Sequence, residues 1–211
     1  MMSEKGRVLE RLLSGHFICQ TTDEEGYRFL MVDANAEAIE SNLSLLNRTL
    51  TKVADNDVFF CAYQAIGDTE RRHLTAQFKE TANSLLPLVE WLVLVQEATG
   101  QNAPLSEGCV VRLNELQTII EDTPAFTEQL AKISHYPLFN SSSNVVDAQL
   151  KLVFKRLTET GYLLRPNPDK LIYVATGKID YVFEVIKFIG ESENLALTEQ
   201  AEDAIKQGEL L

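Results

Sequence analysis

The order of segments in the first third of the chain restricts its fold more than any other feature of the sequence. Apolar residues at helical spacing over 7–13 predict a first helix, which Gly15 ends in a left-handed cap. The next four residues, HFIC, favour a short strand. Thr22 and Glu25 then have the spacing of a capping box that opens a second helix. We therefore expect a helix, a short strand and a second helix, in that order.

A third helix and a hairpin complete this first unit. Asp33 is expected to cap a helix with one buried stripe, formed by Ile39, Leu43, Leu46 and Leu50. The β-favouring runs LTKVA and VFFCAY then flank the turn-forming residues DND, as in a β-hairpin. Helix, strand, helix, helix and hairpin is the order of a winged helix.

The same order is predicted a second time. Residues 68–99 favour helix, with a break near Pro87 because proline cannot sit comfortably inside a helix, so we place the connection between the units there. Further helices are expected over 112–122, over 123–133 with Thr123 as cap, and from 146 onward.

The helix from 146 onward is followed by the second hairpin. Its predicted buried face comprises Val146, Leu150, Val153 and Leu157, and its predicted capping box is Asn144 with Asp147. Gly161 is expected to end it, and YLLR, PNPDK and LIYVAT then form the hairpin.

The segment 178–190 is predicted to be a helix that is apolar on two adjacent faces. Only Asp180, Glu184 and Lys187 are left for water. Such a helix must bury both faces, against its own domain and against something else.

These segments predict a mainly α-helical chain with small β wings, arranged as tandem winged-helix domains. The first domain is expected over 1–66, a helical connection over 67–84 and the second domain over 85–190. An acidic tail is expected over 191–211.

The net charge of −12 argues against tight binding to nucleic acid by the chain alone, because phosphate contacts need a basic surface. One modest basic cluster falls on the second unit and gives the candidate DNA contacts Lys151, Lys155, Arg156, Arg165, Lys170 and Lys178. Solvated lysines explain this cluster as well as DNA does. If it meets DNA, the contact is expected to be weak, salt-dependent and held in place by a partner.

Chemistry-bearing motifs give no support for catalysis. The three cysteines and three histidines are scattered, and no nucleotide-binding or nucleophile motif is present. We expect no enzyme activity, no metal and no cofactor. The longest apolar run, 85–95, is too short to span a bilayer, so we expect a cytoplasmic protein without a membrane segment.

Four stretches of the chain resemble the MukE and MksE subunits of bacterial condensins, the kite group of proteins that bind a kleisin. They are LLSGHFICQTTDEEGYRFL with the hairpin run VFFCAY, LKLVFKRLTETGYLL, and LIYVATGKIDYVFEVI. The resemblance covers about residues 7–190 and lies in pattern and order more than in single residues. It implies a nucleoid-associated homodimer of tandem winged-helix proteins that binds a kleisin and, through it, an SMC ATPase. It also implies a role in chromosome organisation, chromosome segregation or plasmid defence.

The resemblance also suggests where the partners bind. A surface for the kleisin or for the other domain is expected at Tyr181, Val185 and Phe188, and the dimer contact at Phe17, Ile18, Val58 and Phe60. Each of these residues also fits an ordinary core position. In place of the arginines that DNA-contacting members carry before the second wing, this chain has Thr158, Glu159 and Thr160. The competing hypothesis is a tandem winged-helix transcription regulator that reads DNA with the basic cluster.

Overall fold

The computed structural model of the chain describes residues 2–53 and 57–191. Most of these residues are helical, and two small antiparallel sheets complete the fold. This confirms the expected mainly α-helical chain with small β hairpins. The acidic tail beyond Glu191, and part of the predicted DND turn, lie outside the described residues.

The elements follow one another in an order that recurs. The first region contains α1 (Glu4–Leu13), α2 (Glu24–Leu30), α3 (Asp33–Ser44), β1 (Arg48–Lys52) and β2 (Phe59–Tyr63). The second contains α4 (Asp68–Thr99), β3 (Val110–Arg112), α5 (Leu113–Asp122), α6 (Pro124–Ser134), α7 (Val146–Glu159), β4 (Leu163–Leu164), β5 (Ile172–Ala175) and a last helix, α8 (177–191).

The first region closes around a small core between its three helices and its hairpin. Strands β1 and β2 pair antiparallel, with Leu50 opposite Cys61. Ile18 forms an isolated antiparallel bridge with Phe59, so the HFIC segment, predicted as a short strand, makes one β bridge to the hairpin. The buried core residues are Val8, Leu12, Ile18, Leu30, Ile39, Leu43 and Phe59.

Helix α2 is capped one residue later than the predicted capping box. The Asp23 carboxylate accepts the N–H of Gly26 at 3.0 Å, so Asp23 is the N-cap. Thr22 is used in the preceding loop instead, where its hydroxyl donates to the carbonyl of Phe17 at 2.8 Å and accepts the N–H of Cys19 at 3.1 Å. The predicted cap was wrong because this hydroxyl is already occupied.

Helix α3 is shorter than its apolar spacing predicts. It starts at Asp33 with Val32 as the cap, and it ends at Ser44. Asn47 has a φ of 55°, a left-handed turn that no helix continues through. Leu46 is therefore exposed, and Leu50 belongs to β1.

Helix α4 runs without a break through Pro87, contrary to the predicted break at this residue. Proline inside a helix costs about 3 kcal/mol because one N–H is lost and the ring crowds the preceding turn. The turns around Pro87 bury Leu88, Trp91 and Leu92 in the second core. Burial of these side chains stabilises the helix by more than the proline costs, since each contributes about 2 kcal/mol.

The second region confirms most of its predicted elements. Thr123 occupies the N-cap position of α6 but makes no side-chain capping hydrogen bond, and Pro124 lies in the first turn as predicted. The predicted face of α7 is buried throughout. Gly161, with a φ of 80°, follows the end of α7. Strand β5 pairs with β4 in the expected hairpin and also with β3, a strand that the sequence did not indicate.

The predicted capping box of α7 does not form. Val145 occupies the N-cap position and provides no side-chain cap. Asp147 instead pairs with Lys151 one turn further along the helix, at 2.8 Å.

Candidate functional site

An aromatic cluster joins the two regions, which we call the seam cluster: Phe17, Phe60 and Tyr181. The ring centroids lie 5.4 Å apart for Phe17 and Phe60, 5.1 Å for Phe17 and Tyr181, and 5.2 Å for Phe60 and Tyr181. Such tilted contacts stabilise an interface beyond the area that they bury. Burial also raises the pKa of Tyr181 above its ordinary value.

A close backbone approach reinforces this contact. A Cβ atom built on Gly177 would lie 2.5 Å from a methyl group of Val58, which is closer than two carbon atoms can approach. Gly177, the first residue of α8, therefore packs directly against Val58, the residue before β2. Only glycine fits at position 177 while Val58 keeps its place.

Polar contacts extend the junction between the two regions. The Glu107 carboxylate accepts both the backbone N–H of Thr21, at 2.8 Å, and the Thr21 hydroxyl. The N–H of Glu107 donates to the Asp180 carboxylate at 3.0 Å. Asp180 is buried, contrary to its predicted exposure to water, because the loop that contains Glu107 covers it.

A cleft of about 230 Å³ opens beside these contacts and is lined by residues of both regions. The Tyr27 hydroxyl donates to Asp57 at 3.4 Å, and burial together with this carboxylate raises the pKa of Tyr27. Burial also raises the pKa of the Cys19 thiol, which keeps it protonated and weakly nucleophilic. Among the described residues that line this cleft, no nucleophile is paired with a base.

The residues predicted at the dimer contact pack against other residues of the same chain. Phe17 and Phe60 belong to the seam cluster, and Ile18 and Val58 are fully buried beside it. Their use between two copies stays a prediction.

The residues predicted at the kleisin or interdomain surface divide between two environments. Tyr181 contacts Phe17 of the first region, so of its two predicted roles the structure shows contact with the other domain. Val185 is buried. Phe188 is 63% exposed on the last turns of α8. Of the three, Phe188 is therefore the side chain best placed to meet another molecule.

Carboxylates neutralise half of the predicted basic cluster. Lys151 pairs with Asp147, while Lys155 and Arg156 share Glu159 at 3.8 and 2.8 Å. These are exposed pairs that contribute about 0.5 kcal/mol each, so a phosphate could displace them only at a small cost in free energy.

Backbone carbonyls hold two further members of the cluster. Arg165 donates to the carbonyl of Lys170 at 2.8 Å, which fixes it to its own hairpin. Lys178 donates to the carbonyl of Thr160 at 2.8 Å and lies over the ring of Tyr162. Lys170 is exposed at the hairpin tip. The cluster is a loose array and does not form a convergent anion site.

Sequence reasoning missed several exposed apolar side chains. Leu45 is 84% exposed, and its neighbour Leu46 is also exposed, because α3 ends before both residues. Met31 and Val32 form a second exposed pair at the α2–α3 junction. The outer face of α4 is also apolar, and its spacing was visible in the sequence. Such residues mark surfaces that proteins cover.

Two further properties concern the described ranges 2–53 and 57–191. They contain no group of three or more histidine, cysteine, aspartate or glutamate side chains that could hold a metal ion. Within the same ranges, no helix is both long enough and apolar enough to cross a membrane.

No protein-family model matches the chain, and no curated protein matches it.

Proposed function

We propose that this chain is a non-enzymatic accessory subunit of a bacterial SMC-type condensin, with a role like that of MukE and MksE. In this role it forms a homodimer of tandem winged-helix domains and binds a kleisin subunit, which links it to the SMC ATPase. The protein acts in the cytoplasm at the nucleoid, in chromosome organisation and segregation or in plasmid defence.

The observation that carries the proposal is the recurring order of elements. Helix, β segment, helix, helix and hairpin occurs in the first region, and the second region repeats it with α6 as an additional helix. Two such units in one chain are the arrangement that the resemblance implies. The resemblance supplies the function, and the elements support its application to this chain.

Surface chemistry favours protein partners over autonomous DNA binding. The chain carries a net charge of −12, and most of the predicted basic cluster is engaged locally. Exposed apolar side chains, in contrast, occur in both regions, with Leu45 and Phe188 among the most exposed. Interfaces gain affinity from such side chains, while charges at the rim tune rate and specificity.

The mechanism that we propose is scaffolding. The seam cluster and the Glu107 contacts fix the two regions against each other, so a kleisin segment bound to one region is held at a set position relative to the other. A dimer then stiffens the kleisin and sets the distance between the ATPase heads. The four residues predicted at the dimer contact are packed within a single chain. We therefore propose that the dimer contact is formed instead by the exposed apolar pairs of the first region, Met31 with Val32 and Leu45 with Leu46.

The experiment that tests the proposal is affinity isolation of the tagged protein from its own cells at moderate salt, followed by mass spectrometry. A kleisin and a large coiled-coil ATPase in stoichiometric amounts support it. Recovery of the protein alone, or with one DNA fragment, overturns it in favour of the transcription regulator. Such a regulator should bind its DNA site with a Kd near 10⁻⁸ M at physiological salt, which corresponds to a binding free energy of about −11 kcal/mol.

Phe188→Glu localises the kleisin contact within the same experiment. Because Phe188 is largely exposed, the variant should stay folded by circular dichroism while kleisin recovery falls about tenfold or more. Lys187→Glu is the matched control, because it introduces the same glutamate at the neighbouring exposed position, and it should retain the kleisin. Equal recovery with both variants contradicts the assignment of Phe188.

The dimer assignment has a separate test in analytical ultracentrifugation of the purified chain. Leu45→Asp combined with Leu46→Asp should convert the dimer to a monomer, because two charges would replace apolar contacts at the interface. Val145→Asp, at an exposed valine in the second region, should leave the dimer intact. A dimer that persists in the double variant places the contact elsewhere.

A further inference from the structure

Helix α4 carries an exposed apolar stripe on the side opposite to its core face. We call it the α4 outer stripe, and it comprises Phe78, Ala82, Leu86, Val89 and Val93. Phe78 is 49% exposed, Leu86 56% and Val93 41%. Leu88, Trp91 and Val95 on the other side are fully buried, so the second half of the helix is apolar on two opposite faces, with Glu90 and Glu97 along the boundary between them.

The spacing of the α4 outer stripe matches a helical partner. Its members recur at i, i+4, i+8, i+11 and i+15, which places them within about 80° of arc over a length of about 22 Å. Steps of three and four residues are those of the apolar seam along which two helices pack. An extended strand would instead need apolar positions and free backbone groups along an edge.

Charged residues at one end of the α4 outer stripe indicate the sign of the charge that a partner should carry. Arg71, Arg72 and Lys79 lie around a depression of about 470 Å³ at the N-terminal end of the stripe. None of the three forms an ion pair with a described residue. Among the side chains that the structure describes, Asp68 is the one carboxylate that lines the same depression, so the charge of these described residues is positive on an otherwise acidic chain.

We propose that the α4 outer stripe is a docking surface for an acidic amphipathic helix of a partner protein. The apolar face of that helix packs on Phe78, Leu86 and Val93, and its acidic residues meet the three free cations. This docking surface is separate from the Phe188 surface, and it does not require that the partner be a kleisin.

Fluorescence anisotropy with designed peptides tests the proposal on the full-length chain. The first peptide, of about 18 residues, has leucines at heptad spacing flanked by glutamates, and this length is sufficient for a helix. A second peptide has lysines in place of the glutamates. We expect the acidic peptide to bind about tenfold more tightly, since three exposed charge pairs together amount to about 1.4 kcal/mol. Equal binding of the two peptides overturns the proposal.

Two variants of the chain make the test specific to α4. Leu86→Asp should weaken the acidic peptide at least tenfold, whereas Val145→Asp, at an exposed valine outside α4, should leave its affinity unchanged. Arg71→Glu combined with Arg72→Glu and Lys79→Glu should reverse the preference, so that the lysine peptide binds more tightly. An unchanged preference overturns the proposal.

Two other occupants would each give a distinct result. If a second copy covers the α4 outer stripe, Leu86→Asp will convert a dimer to a monomer in analytical ultracentrifugation. If residues 192–211 of the same chain cover it, removing them will raise the affinity for the acidic peptide. Either result overturns the assignment to a partner protein, and neither depends on the outcome of the affinity isolation from cells.

Discussion

Individual charged residues contribute to the fold where they meet at the start of α2. Arg7 donates to the Asp23 carboxylate at 2.7 Å and also pairs with Glu4, while Arg11 lies 3.4 Å from Asp23. Burial alone would raise the pKa of Asp23. The hydrogen bonds from Arg7 and from the N–H of Gly26 outweigh it, so this pKa lies below its ordinary value. Asp23 thus joins α1 to α2 and caps α2 with the same carboxylate.

Asp23→Asn tests the ionic part of this contact, because asparagine caps a helix about as well as aspartate. We expect the free energy of unfolding to fall by about 2 kcal/mol at pH 7, since charge-assisted hydrogen bonds to Arg7 are lost. A folded pKa below the unfolded pKa stabilises the protein above the unfolded value, and this stabilisation is lost as the pH falls through the folded value. The gap between variant and wild type should therefore narrow below about pH 4.

Urea unfolding at a series of pH values measures this gap. Glu24→Gln provides a comparison, because it removes an α2 carboxylate whose ion pair is with the exposed Arg28, and it should lower the free energy of unfolding by about 0.5 kcal/mol or less. A gap for Asp23→Asn that is the same at pH 3 and pH 7 would contradict the ionic contribution.

At the scale of elements, local patterns predicted the helices well where nothing non-local intervened. The buried face of α7 and the ends at Gly15 and Gly161 follow from spacing and backbone conformation alone. The end of α3 was missed because Leu46 and Leu50 fit helical spacing equally well. The left-handed turn at Asn47 and the pairing of Leu50 with Cys61 override that spacing.

Two glycines in different backbone conformations should respond to alanine substitution in opposite directions. Gly161 has a φ of 80°, which costs about 1 kcal/mol for alanine, so Gly161→Ala should lower the free energy of unfolding by that amount. Gly190 lies inside α8, and an added Cβ there meets nothing within 4 Å. Gly190→Ala should therefore stabilise the protein by about 0.5 kcal/mol. Thermal unfolding of both variants, compared with wild type, checks the signs, and destabilisation by Gly190→Ala would contradict the helical assignment.

At the scale of the whole molecule, the seam cluster is the feature that the sequence could not define. From the sequence, Phe17 and Phe60 are expected at the dimer contact, and Tyr181 at a surface for the kleisin or for the other domain. Which surface each one meets depends on how segments far apart in the chain come together. Local periodicity carries no information about such packing, so only the three-dimensional structure places all three rings in one cluster between the regions.

The seam cluster should make the two regions unfold as one unit, because the contacts of Tyr181 with Phe17 and Phe60 exist only when both regions are folded. Trp91, the single tryptophan, is buried in the second core and reports on that core, whereas far-UV circular dichroism reports on all helices. In wild type the two signals should give the same urea midpoint. In Tyr181→Ala they should separate, with an overall loss of about 3 kcal/mol as the aromatic contacts and their burial are removed.

Phe29→Ala is the matched control for this experiment, since Phe29 is a partly buried aromatic residue that packs against the core of the first region. It should lower stability by less and leave the two midpoints together. Midpoints that coincide in Tyr181→Ala would mean that Gly177 against Val58 and Glu107 with Thr21 suffice to couple the regions. Midpoints that already differ in wild type would mean that the junction holds the regions in place without joining their unfolding, and a kleisin bound across it would then be required for a rigid scaffold.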